Sequence, residues 1–207
     1  MKHRAAGGLA VLLLAIGGWQ FGEAVWIHAK AVLAQVLIKH AWAQTTEGER
    51  HVRPWGWADT WPVARLSVPR LGVDQIVLAG ASGRTLAFGP AHMDGTAAPG
   101  GNGVAVISGH RDTHFRFREE IRVGDTLTVT DNNGASHQFR ITETHVVDSE
   151  KSGLAADTDA PRLALVTCYP FDAVEPGGPL RFLALAEPDG AFNAASATPS
   201  RYTAQRQ

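Results

Sequence analysis

The chain contains one cysteine, Cys168, which ends the apolar run Leu165-Val166-Thr167 and precedes Tyr169-Pro170. A second apolar run, Val104 to Ile107, ends in Ser108-Gly109-His110-Arg111. A third, Phe182 to Leu185, follows Gly177-Gly178-Pro179-Leu180-Arg181. Three strand-like segments thus present a thiol, an imidazole and a guanidinium. Acyl transfer through a thioester uses those groups as nucleophile, proton shuttle and oxyanion-facing cation. With a single cysteine, the nucleophile has no rival.

Each assignment competes with a plainer one. A lone cysteine often serves only as a small buried hydrophobe, and an arginine beside a strand is usually solvated. Among the histidines, His92 and His114 compete with His110. His92 falls in a Gly- and Pro-rich loop and is read as lining the site, a role also given to Thr167 and Tyr169 beside the thiol. Phe171 and Val174 lie in the loop beyond and are read as further substrate contacts. His110, Asp112 and His114 would share one face if extended, yet nothing further is placed to complete a usual metal site. No metal or other cofactor is expected. Asp112 is read as a partner for the imidazole or for Arg111.

The 207 residues are 44% hydrophobic and carry a formal charge of −1. That is enough for one domain with a core plus appendages, without the basic excess of a nucleic-acid binder. One cysteine excludes an intramolecular disulfide and a zinc site built on several thiolates. Ala5 to Gly22 is uncharged and mostly apolar, behind Lys2 and Arg4. This length is at the short end for a membrane span, and the basic flank favours a cytoplasmic N-terminus with the rest exported. A cleaved signal peptide is the rival reading. Trp19, Gln20 and Phe21 make a bulky approach to any cleavage point, so residues 1–22 are taken as a cytoplasmic tip and anchor.

Apolar residues at helical spacing from Glu23 to Gln44 predict a helix, and polar residues 45–53 a linker. Together 23–53 are read as a stalk. Three tryptophans in Pro54 to Pro62 suggest a strap packed on the domain. Short strands are expected at Val63–Val68, Gln75–Leu78 and Val104–Ile107, then Thr126–Val129, His137–Ile141, Leu163–Thr167 and Phe182–Leu185. His145 to Val147 is read as an extension of the fifth of these, and Ser82 to Phe88 as one helical turn. His92 to Asn102 is read as a loop. Asn133-Gly134 between alternating runs is a hairpin signal. Many short strands separated by turn clusters predict a mainly β domain over 54–188, a closed or nearly closed barrel. Residues 189–207 lack any pattern and are read as a disordered tail.

Ala164-Leu165-Val166-Thr167-Cys168 resembles the TLxTC motif of the sortases, membrane-anchored cysteine transpeptidases, with alanine where threonine is common. Ser108-Gly109-His110-Arg111 is similar to their histidine motif, and Leu180-Arg181-Phe182 to their arginine strand. The strap, Arg65 to Pro69, Gly89-Pro90-Ala91-His92 and Gly95-Thr96-Ala97 resemble a subgroup found in Gram-negative proteobacteria. The resemblance covers about residues 60–187, plus the anchor. It implies a barrel of about eight strands and Cys168, His110 and Arg181 as catalytic residues. It also implies cleavage of an LPxTG-like sorting signal on a surface protein, with transfer of the acyl group to an amine. The catalytic domain would then face the periplasm from the inner membrane. Hydrolysis by a plain thiol peptidase, or peptide binding without catalysis, are the alternatives.

Overall fold

The computed structural model describes residues 2–153, 160–173 and 177–190, with side chains from residue 12 onward. The chain divides into two compact units, Met1–Leu37 and Ile38–Gln207. The expected tail beyond Gly190 and the Val174 contact lie outside the described residues.

One helix, α1 (Lys2–Thr46), runs through both the expected anchor and the expected stalk. Its segment Leu12–Thr46 is long and apolar enough to cross a membrane. Exposed apolar side chains continue past Gly22, through Val25, Trp26, Ile27, Val32, Leu33 and Val36. Of these, Val25, Trp26, Val32, Leu33 and Val36 belong to the apolar face expected of the stalk helix. In the second unit, Ile38, Ala41 and Trp42 are buried, and Ile38 joins Leu78 and Ala91 in a small apolar cluster.

Eight strands follow: β1 (Pro62–Val68), β2 (Val73–Ala79), β3 (Ala91–His92), β4 (Gly103–Ser108), β5 (Thr126–Asp131), β6 (Ser136–Asp148), β7 (Pro161–Cys168) and β8 (Leu180–Pro188). They close a barrel in the order β1-β2-β3-β4-β7-β8-β6-β5. Closure leaves no edge strand to be blunted. The two-residue β3, expected as loop, makes closure possible by pairing parallel to β2 and antiparallel to β4. The turn expected at Ser82–Phe88 is α2 (Gly83–Leu86), capped by the Ser82 hydroxyl on the Thr85 amide.

Side-chain alternation divides the strands between two apolar layers. Ala105 and Ile107 of β4, Leu163 and Leu165 of β7, and Ala184 and Ala186 of β8 fill the barrel interior with Leu66, Leu127, Phe139 and others. Val104, Val106, Ala164 and Leu183 form a second cluster on the other face. β4 and β7 are therefore buried on both sides, which is why they read as continuous apolar runs.

In the β5–β6 hairpin the Asp131 amide bonds the Ala135 carbonyl, leaving three residues between this closing pair. The Gly134 amide bonds the Asp131 carbonyl, and Gly134 has φ +82°. This is the type I turn with a left-handed glycine rather than a two-residue Asn-Gly turn. The strap is split: Trp55 packs edge-on against Phe88, centroids 4.9 Å apart, whereas Trp57 is 87% exposed. The reason is a turn closed by the Ala58 amide on the Trp55 carbonyl, which puts Gly56 and Trp57 at its apex.

Candidate active site

β4 and β7 are parallel, with Val104 beside Arg162, Val106 beside Ala164 and Ser108 beside Val166. Two residues further along each chain stand His110 and Cys168. β7 and β8 are antiparallel, and Cys168 pairs directly with Arg181. Parity fixes the facing. Cys168 continues the Ala164–Val166 face, Arg181 the Leu183–Leu185 face, and both belong to the layer outside the barrel interior. His110 follows two residues after the last residue of β4, whose Val104 and Val106 lie in that layer. The thiol, imidazole and guanidinium thus stand at the same end of three adjacent strands, His110 exposed and Cys168 and Arg181 half-buried.

The chain leaves β4 under tight constraint. The Gly109 amide donates to the Val166 carbonyl at 3.2 Å, and the Thr167 hydroxyl donates to the Gly109 carbonyl at 2.7 Å. A Cβ on Gly109 would stand 2.6 Å from the ring of Phe115, which is 1% exposed. No side chain fits there without moving a buried aromatic. The Phe115 amide in turn bonds the His110 carbonyl at 3.0 Å. His110 is therefore held on both sides by backbone bonds and beneath by a close glycine–aromatic contact.

Thr167, expected to touch substrate, is 4% exposed and spends its hydroxyl on Gly109. Thr167→Val keeps the shape and removes that donor. The variant should lose about 1 kcal/mol of stability in chemical denaturation. It should also slow peptide cleavage, because the residue before His110 is released. Unchanged stability and rate would show the bond to be idle.

His92 is also engaged within its own loop. Its Nε2 donates to the Ala97 carbonyl at 2.7 Å and lies 3.0 Å from the Thr96 hydroxyl. Tyr169 follows the thiol, its amide bonding the Leu180 carbonyl and its ring 5.1 Å from Phe171. Arg181 Nη1 donates to the carbonyls of Gly178 at 2.5 Å and Leu180 at 2.8 Å, so the guanidinium braces the loop that delivers it.

His114 is in a different position. Burial pushes its imidazole below the ordinary histidine value, a bond to the Ala87 backbone partly opposes this, and the nearby His110 charge lowers it further. Asp112 is exposed and lies 3.4 Å from Arg111 Nε, the second of the two partners expected for it.

The burial of two arginines, Arg111 and Arg118, is not legible in the sequence. Arg111 donates from Nη1 to the Pro170 carbonyl at 2.7 Å and from Nη2 to the Ala173 carbonyl. Arg118 is 3% exposed, with its guanidinium carbon 4.2 Å from the centre of the Phe171 ring. Arg111 is at least flagged by its place after His110. Nothing in Arg116-Phe117-Arg118-Glu119-Glu120 separates the buried arginine from the exposed one.

Residues 66–189 match the family model of the sortase domain. The chain is 32% identical over 110 residues to Sortase D of Bacillus subtilis, covering 53% of this chain and 55% of that protein. It thus spans about half the length of that curated relative. Among solved structures, sortase C-1 from Actinomyces oris is similar with a TM-score of 0.55 and 26% identity, over 63% of this chain and 74% of that one. A Clostridium perfringens Sortase D5 transpeptidase gives a TM-score of 0.56 at 24% identity, over 73% and 89%. Sortase A from Corynebacterium diphtheriae gives 0.57 at 23%, over 78% and 86%. The last two likenesses speak to the fold. An eight-stranded closed barrel, with one cysteine, one histidine and one arginine at adjacent strand ends and a sortase-domain match across the barrel, places this chain in the sortase family.

Proposed function

We propose that this chain is a cysteine transpeptidase that cleaves an LPxTG-like sorting signal through a thioester on Cys168 and passes the acyl group to an amine. The observation that carries this reading is the pairing of Cys168 with Arg181, with His110 reached two residues beyond the matching end of β4. Cys168 attacks the scissile carbonyl as a thiolate. His110 protonates the departing amine and then takes a proton from the incoming one. Arg181 faces the oxyanion with a charge that does not titrate away. His92, Thr167 and Tyr169 act around this centre, Tyr169 against substrate, and His92 and Thr167 by holding the loops that frame it.

The substrate is a surface protein bearing the sorting signal. α1 anchors the enzyme as a single-pass helix in the inner membrane, with the barrel on the periplasmic side. The chain belongs to the Gram-negative subgroup of the family. Residues 1–22 serve as tip and anchor, 23–53 as stalk, 54–188 as the catalytic domain and 189–207 as its tail. Lys2 and Arg4 before the apolar run support this orientation.

The reading is tested by incubating the purified chain with a sorting-signal peptide, with and without hydroxylamine. A hydroxamate product is expected; free acid alone would make the protein a peptidase, and no cleavage would leave only binding. Arg181→Lys sharpens the test, because it keeps the charge and removes the planar fork. Losing an oxyanion donor is typically worth about 10²–10³ in turnover, and a loss of that order is expected with little change in melting temperature. A Lys variant within about threefold of the parent, roughly 0.7 kcal/mol of barrier, would remove Arg181 from the chemistry.

A further inference from the structure

A buried guanidinium is costly unless its donors and charge are met. Arg118 Nη1 donates to the Phe115 carbonyl at 2.7 Å and to the Arg111 carbonyl. Its Nη2 lies 3.7 Å from the Glu119 carboxylate, and its flat face covers Phe171. Nε is buried with no hydrogen-bond partner among the described residues. This environment is incomplete as a stability device, since a neutral side chain of similar length would fill the space without an orphaned donor.

The partners fall on the two sides of the active site. Arg111 is the residue after His110, and Phe115 bonds the His110 carbonyl. Phe171 is the third residue after Cys168, and its ring stacks edge-on with Tyr169 at 5.1 Å and with Phe182 at 5.3 Å. Phe182 pairs with Thr167, the residue before the thiol. Arg111 adds a second tie from the histidine side to the Pro170 and Ala173 carbonyls. Burial lowers the Arg118 pKa, while Glu119 and Asp112 favour its charged form, Arg111 disfavours it, and Cys168 favours it.

We infer that Arg118 is a positioning residue for the transfer reaction: its guanidinium clamps the chain leaving His110 against the chain leaving Cys168 and sets how imidazole and thiol meet. This rests on the assignment of Cys168 and His110 given under the proposed function. The cation over Phe171 transmits the constraint. A point charge on a flexible stem cannot grip two carbonyls and cover a ring at once.

The test measures kcat and KM for a sorting-signal peptide, and melting temperature, in Arg118→Met, Arg118→Lys, Phe171→Leu and Arg118→Met/Phe171→Leu, all assayed well below their melting points. Arg118→Met is expected to lower kcat about 10–100-fold, the scale of a misplacement of about 1 Å, with KM within about threefold. Arg118→Lys should recover only part of the loss. The double variant should be no slower than the slower single one, because the two side chains act as a unit. An Arg118→Met variant with parental kcat, whatever its melting temperature, would reduce Arg118 to a packing role and overturn the inference. So would full recovery in Arg118→Lys, or losses that multiply in the double variant. If Arg118→Met does not fold, kcat in Arg118→Lys and Phe171→Leu decides: a loss in both supports the clamp, and parental kcat in either overturns it. Cys168→Ala runs beside them. Turnover without the thiol would sink the nucleophile assignment, whereas an inactive Cys168→Ala with active Arg118 variants sinks the clamp alone.

Discussion

Cys168→Ala is expected to abolish cleavage of a sorting-signal peptide while leaving the barrel intact. The thiol is the only one in the chain, so no neighbouring cysteine can take over. A covalent mechanism that loses its nucleophile loses the route itself, and no acid–base group restores it. The fold has little at stake, because Cys168 is half-buried at the last residue of β7, beyond the filled interior. Removing one sulfur there should change stability by less than about 1 kcal/mol, within the range of sites outside the core. Two measurements check this. Peptide turnover should fall to background with an unaltered melting curve, and an alkylating probe should label the parent once and the variant not at all. Retained turnover in the purified variant would end the cysteine mechanism. A parent that resists labelling in the folded state would make Cys168 a structural thiol.

The barrel was legible because its chemistry is repeated at every second residue. β4, β7 and β8 face apolar surroundings on both sides near their middles, so their runs stand out from the polar turns between them. Those runs stand beside His110, Cys168 and Arg181, which is why these three could be named as candidates without coordinates. β3 could not be seen, since two residues carry no period and depend on neighbours distant in sequence. The same limit hid the true engagements of His92 and Thr167. Each looks like a free polar group beside the site until the carbonyl that receives its proton is brought alongside by β4 and the loop after β3. Trp57 failed differently: an aromatic in a strap-like segment suggests burial, but a turn of four residues decides which side chains point outward. Arg118 was the least visible. Its charge pattern is that of a solvated stretch, and only the closure of the barrel places it against Phe171.

His110→Ala is expected to lower turnover by about 10²–10⁴-fold, the usual contribution of a general acid–base group. The loss should appear in kcat, because the imidazole acts on the leaving and entering amines and not on the rest of the peptide. His114→Ala supplies the internal comparison. Its ring lies four residues away, is bonded to the Ala87 backbone, and is driven toward the neutral form by burial. Its protonated form is therefore disfavoured, and its removal should cost only a few-fold, through the packing of the loop after β4. Because His110 is exposed, its truncation creates no core cavity, so a large rate loss with an unchanged melting temperature identifies a chemical role. The decisive quantity is the ratio of the two losses. A His114→Ala enzyme slower than His110→Ala would mean that the proton is carried from the buried side of the loop, and that the register between the ends of β4 and β7 does not define the reacting pair.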